Sequence, residues 1–304
     1  MKKFFLKLTL FFLLLFLLDR VIGGLCEYYF FQTRDGDTGG QINSLLKKEC
    51  QVVVFGSSKA ESQYAPHVLG QILGKTVFNA GFKASNCIYD YGVEQLVFNT
   101  YKPQLVVYDL TQVSLYKADF NIYEKLYPLY PFWRKPFIWE LIKHKDPFEG
   151  VFFFSRIYPY NSKVHSIILF NILKKRPGVN NGYKPQPEVM DPSTQPETKE
   201  IFDAADIDGR LLDYFKKFVL SARDKGIKIV VVRSPRYFKE SCPLPDEIAS
   251  FLKANGVPVL DYSPEKYPQF IDYKLYHDRY HLNQKGSELF STLAGNDLKK
   301  LIKN

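Results

Sequence analysis

Two short stretches carry residues whose types and spacing could do chemistry. Val52-Val53-Val54-Phe55-Gly56-Ser57-Ser58 ends an apolar run on two hydroxyls, and His277-Asp278-Arg279-Tyr280-His281 sets a carboxylate three residues before an imidazole. A serine hydroxyl is a poor nucleophile at neutral pH unless a base removes its proton during attack. An imidazole held in one tautomer by a carboxylate is such a base. Ser57 or Ser58 is therefore the candidate nucleophile, with His281 as base and Asp278 as its orienter. A metal pair of His277 and His281 at i, i+4 is the competing reading, but no third ligand accompanies them.

The elements around these residues decide whether they can meet. Val52–Phe55 reads as a strand buried on both faces, and Pro66–Leu73 has helical spacing. A second short strand spans 74–78 and ends in Asn79-Ala80-Gly81. A helix is expected over Ser85–Thr100, with Ile88, Tyr91, Val93, Leu96 and Val97 inward. Pro103 precedes a third strand, Leu105–Tyr108. After a long interruption come a helix (Gly209–Lys225), a strand (Ile227–Val232), a helix (Pro245–Ala254), a strand (Val257–Leu260) and a last helix from about Gln284 to Lys303. Strands alternating with helices imply parallel pairing and right-handed crossovers. Five of them in this order suggest an α/β fold, a flavodoxin-like doubly wound parallel sheet. In such a sheet ligands bind at the carboxyl edge, which both the serine turn and the Asp-x-x-His loop reach.

With this order in view, the chain resembles the SGNH or GDSL-type hydrolases. In that family a serine block follows the first strand and an Asp-x-x-His block precedes the last helix. Phe55-Gly56-Ser57-Ser58 lines up with the Gly-Asp-Ser block, which places Ser58 on the nucleophile and Ser57 where the family usually has Asp. Asn79-Ala80-Gly81 resembles the second block, whose glycine N–H helps bind the oxyanion; Gly81 is its match. Asp278-Arg279-Tyr280-His281-Leu282-Asn283, with Gly286, matches the last block. The third block departs: where the family carries Gly-x-Asn-Asp, this chain has Asp109-Leu110-Thr111-Gln112. The Thr111 hydroxyl or the Gln112 amide would have to replace the Asn donor. The resemblance implies an ester hydrolase or acyltransferase with Ser58, His281 and Asp278 catalytic, Gly81 and Thr111 at the oxyanion, and no cofactor or metal.

The 304 residues carry a formal charge of +9, with 46% hydrophobic and 24% charged residues. The Lys and Arg are scattered and no nucleic-acid motif accompanies them, so a basic solvated surface is expected rather than a nucleic-acid partner. The four cysteines (Cys26, Cys50, Cys87, Cys242) show no metal-ligand spacing. Met1-Lys2-Lys3 leads into an apolar run from Phe4 to Leu18, and apolar character resumes through Phe31. With no A-x-A site behind it, this run is expected to be a signal anchor over residues 1–31 rather than a cleaved signal peptide. The remainder would then lie outside the cytoplasm. Residues 32–50 read as a stem and 51–304 as the domain, interrupted by an insertion at about 112–198.

Aromatics reach 16% of the chain, with 26 Phe and 21 Tyr, and they crowd Tyr116–Tyr183. Such an insertion could cover the sheet edge and stack on sugar rings, or it could be a packed helical subdomain. The expected function is serine-dependent hydrolysis or transfer of O-acyl esters outside the cytoplasm, on a cell-envelope or exported glycan, with the membrane as second partner. The alternative is a non-catalytic glycan-binding or assembly component that keeps the fold.

Overall fold

The computed structural model describes residues 1–34, 36, 39–117, 121–173, 181–199 and 201–303. Parts of the expected stem and insertion (35, 37, 38, 118–120 and 174–180) lie outside them, as do residues 200 and 304. The chain divides into two compact units: Met1–Ser44 with Phe120–Gly178, and Leu45–Asp119 with Val179–Asn304.

The second unit is built on five strands: β1 (Val52–Gly56), β2 (Val77–Asn79), β3 (Leu105–Asp109), β4 (Lys228–Arg233) and β5 (Val259–Asp261). They form one sheet in the order β2-β1-β3-β4-β5, with every pairing parallel. This is the flavodoxin-like topology of the SGNH hydrolases. Runs of Val and Ile fill β1, β3 and β4 because both sheet faces are covered and every inward position must be apolar. Side chains alternate as a strand requires. Val52 and Val54 join Leu69, Phe290 and Leu298 on one face. Phe55 and Tyr108 meet Phe218 on the other, at ring centroid distances of 5.1 and 4.9 Å.

Element boundaries moved for local reasons. The expected 85–100 helix is Cys87–Phe98, because the Asn86 side chain caps it, accepting from the N–H groups of Ile88 and Tyr89. β5 begins at Val259 rather than Val257. Pro258 has no N–H to give a ladder, and only its carbonyl pairs, with the Val231 N–H. The helix Cys87–Phe98 is buried around nearly its whole circumference, including Asp90 and Glu94, whereas Tyr91 is only half-buried. An amphipathic reading of this helix therefore picked the wrong fifth inward residue.

The first unit is a long helix, Lys2–Phe30, with the aromatic segment packed against its second half. Phe30 is buried among Phe132 and Tyr160. Trp133, Trp139, Tyr130 and Tyr158 surround Phe153. A separate short helix, Gly40–Lys48, follows.

Candidate active site

The carboxyl ends of β1 and β3 lie side by side, with Gly56 in register with Asp109. Strand order reverses between these two strands, so the crevice above them is where an open α/β sheet binds ligands. Ser57 and Ser58 leave β1 there, and Thr111 leaves β3. Their side chains are neighbours: Ser57 Oγ lies 3.4 Å from Thr111 Oγ1, which is 2.7 Å from Ser114 Oγ.

Ser58 begins the short helix Ser58–Gln63, and that helix is fixed from below. The Asn79 amide donates to the carbonyls of Ala60 (2.6 Å) and Tyr64 (2.9 Å), while its Oδ1 accepts from the Gly81 N–H (2.9 Å). Gly81 is required by contact. A Cβ there would stand 2.4 Å from the Glu61 nitrogen and 2.8 Å from the Ala60 carbonyl carbon. At the helix's other side, buried Lys59 donates to the Ser234 carbonyl (2.9 Å). Ser234 Oγ in turn donates to buried Asp109 (3.0 Å). Burial raises the Asp109 pKa, and the Lys59 charge opposes that shift.

The second half of the site comes from the loop before the last helix. Buried Tyr276 and Leu282 bridge its two ends, and the Asn283 side chain accepts from the Gly286 N–H (3.0 Å) to start the helix. Within the loop, Asp278 Oδ1 accepts from the N–H groups of Tyr280 (2.7 Å) and His281 (2.8 Å). The same carboxylate holds His281 Nδ1, at 3.0 and 2.9 Å from its two oxygens. A carboxylate accepts only, so Nδ1 carries the proton and Nε2 is free to accept. Nε2 lies 2.8 Å from Ser58 Oγ. Burial by itself would raise the Asp278 pKa, but the bonds and charge of His281 with the two N–H groups outweigh it and bring it to about 2.

Ser58, His281 and Asp278 thus stand in one hydrogen-bonded line, opening on a cavity of about 280 Å³. Thr111 and Gln112 also line it, along with Lys83 and Arg236. The placement of the remaining donors is less direct. The Gly81 N–H is engaged by Asn79. Gln112 accepts from Arg236 through Oε1 (2.8 Å), and its amide nitrogen faces Cys242 Sγ (4.0 Å). His277 donates its N–H to the His281 carbonyl (2.9 Å), and its ring lies 3.8 Å from Glu188. All four cysteines are free thiols.

Sequence reasoning missed Lys59, Lys83, Asp109, Ser234 and Arg236. An acid closing the apolar run of β3 was the one visible signal. Arg236 gave none, because besides the nearby Phe238 ring (4.5 Å) its partners come from distant segments: the guanidinium donates to Gln112 (2.8 Å) and lies 5.0 Å from the centre of the Tyr280 ring.

No family model matches the sequence, and no curated protein sequence matches it. Among solved structures, a protein described as lipolytic and of the G-D-S-L family, from Desulfitobacterium hafniense DCB-2, resembles the chain. Identity is 12% over 81% of this chain and 98% of that one, with a TM-score of 0.39. A likeness of that size carries nothing for the fold or for the chemistry of the site.

Proposed function

We propose that the protein hydrolyses or transfers O-acyl esters by a serine mechanism, outside the cytoplasm and tethered by its amino-terminal helix. The observation that carries this reading is the 2.8 Å contact between Ser58 Oγ and His281 Nε2, with Asp278 on the far ring nitrogen. His281 takes the hydroxyl proton as Ser58 attacks the ester carbonyl, and the imidazolium so formed is stabilised by Asp278. The proton then passes to the departing alcohol. Water, or an acceptor hydroxyl, attacks the acyl-serine with His281 again as base, and the acceptor that reaches the acyl group decides between hydrolysis and transfer. The N–H groups of Ser58 and Gly81 and the hydroxyl of Thr111 are the proposed oxyanion donors. Gly81 serves only if its N–H turns or is shared away from Asn79.

The substrate is proposed to be an acylated glycan of the cell envelope or an exported one. Tyr130, Trp133, Trp139 and Tyr158 of the insertion pack on Phe153, and its exposed Phe154 lies beside Phe16 of the amino-terminal helix, so this assignment rests on the side of the membrane rather than on a stacking surface. A second reading, a non-catalytic glycan-binding or assembly component, is favoured by the engaged Gly81 N–H and by the Gln112 amide nitrogen facing Cys242. A fluorophosphonate probe separates the two. The enzyme is labelled and Ser58→Ala is not; absence of label on the folded wild type would leave the binding component standing.

A further inference from the structure

The amino-terminal helix changes surroundings at Asp19. Its large apolar side chains from Phe4 to Leu18 are all exposed. From Asp19 onward one side is packed against the aromatic segment. The Asp19 carboxylate accepts from the Ser155 hydroxyl and from the N–H groups of Arg156 (2.9 Å) and Ile157 (3.3 Å). Arg20 donates to the Phe154 carbonyl. Glu27 pairs with Arg134 and Arg156. Gly23 allows the approach, since a Cβ there would lie 2.6 Å from the Arg156 carbonyl carbon. The opposite side of the helix remains apolar and open at Val21, Ile22, Leu25 and Tyr28.

The run Phe4–Leu18 rises only about 22 Å at the helical rise per residue, short of the roughly 30 Å of a hydrocarbon core. The missing thickness falls at the level of residues 19–25, where the helix is apolar on its open side and carries the aromatic segment on the other. That segment exposes Phe148 (62%), Val151 (67%), Phe152 (43%) and Phe154 (69%). Phe154 continues the helix surface directly, its ring 6.2 Å from that of Phe16. The Arg20 guanidinium lies over both rings, at 4.9 and 5.5 Å, as a snorkelling cation would at the edge of the acyl chains.

We propose that Phe148–Phe154 is a membrane seat, sunk in the outer interface of the same bilayer the helix crosses. The occupant is lipid, because the patch is continuous with a surface that already needs lipid and lies where that surface is too short. The seat rests on the anchoring reading above. It holds the aromatic segment at a fixed depth, so that this unit acts as a collar on the helix rather than as a freely swinging spacer.

Both tryptophans of the chain, Trp133 and Trp139, pack on Phe153 beside the patch, so tryptophan emission, excited where tyrosine does not absorb, reports on this unit alone. The test reconstitutes the full chain in nanodiscs containing phosphatidylcholine brominated at shallow or at deep acyl positions. Emission is expected to fall, more with shallow than with deep bromines, as for indoles at an interface. Phe152→Ser with Phe154→Ser should lose roughly half of that quenching or more while the helix stays inserted. Release of the wild type from membranes by alkaline carbonate would overturn the anchor and the seat together. Retention in the membrane with unquenched tryptophans would overturn the seat alone, a result that needs no variant to fold.

Discussion

At the scale of single residues, two carboxylates, Asp90 buried and Asp278 half-buried, respond to pH in opposite directions. Asp90 accepts from Tyr108 Oη (3.0 Å) and Ser85 Oγ (3.3 Å) in a fully buried position, where burial pushes its pKa up to about 7 against those bonds. The folded chain therefore holds a proton that the unfolded chain releases near 3.8. Its contribution to stability is complete below that pH and is lost as the pH rises through about 7. Asp90→Asn should flatten the fall in Tm between pH 4 and 7, as followed by calorimetry; an unchanged slope would refute the assignment. Asp278 has the reverse sign. Its contribution is present above pH 3.8 and is lost as the pH falls towards about 2. Arg236 and Lys83 both line the cavity, and no carboxylate is among its described lining residues. Arg236→Gln should raise the KM of an ester bearing a carboxylate several-fold and leave that of its methyl ester nearly unchanged. Equal effects on both esters would mean a packing role.

At the scale of elements, the site depends on how the helix after β1 is held. Asn79 satisfies two carbonyls of the turn at its end and the Gly81 N–H at once. Asn79→Ala would remove these three buried hydrogen bonds and should cost about 2–3 kcal/mol in denaturant unfolding; a loss near zero would contradict the staple. Gly81→Ala forces a methyl into the Glu61 nitrogen and should shift Ser58 itself. Ester turnover is then expected to fall more steeply than Tm. The strands and their order were legible in the sequence because β1, β3 and β4 are each built around a short run of Val and Ile. The Asp-x-x-His spacing was legible because a tight loop brings those two residues together locally. Lys59 and Arg236 were not, since their hydrogen-bond partners lie more than a hundred residues away, and Asp90 was not, because nothing in its spacing shows that its helix is buried all round. Helix Cys87–Phe98 was misjudged in detail because a helix buried all round has no polar face to give its orientation.

At the scale of the whole molecule, the chain couples an apolar helix long enough to span a bilayer to an α/β unit with a serine at its sheet edge. The helix is expected to stay attached. Mass spectrometry of the purified protein should find Met1 or Lys2 at the amino terminus, and a new terminus near residues 20–35 would mean cleavage. The length and apolarity of that helix could be read directly from Phe4–Phe31, but the docking of the aromatic segment on Asp19 and Gly23 could not, because it joins residues more than a hundred positions apart. The central claim is that Ser58, His281 and Asp278 act as one unit on esters. Turnover of 4-nitrophenyl acetate by the full chain in detergent, in a cycle of single and double variants, tests it most directly. Ser58→Ala and His281→Ala should each abolish measurable turnover, and the double variant should lose little more. Asp278→Asn should keep a residue of activity, about 10³–10⁴-fold down, and Ser57→Ala should be mild. Turnover that survives Ser58→Ala but dies in Ser57→Ala would move the nucleophile by one residue; turnover that survives both would contradict the catalytic account.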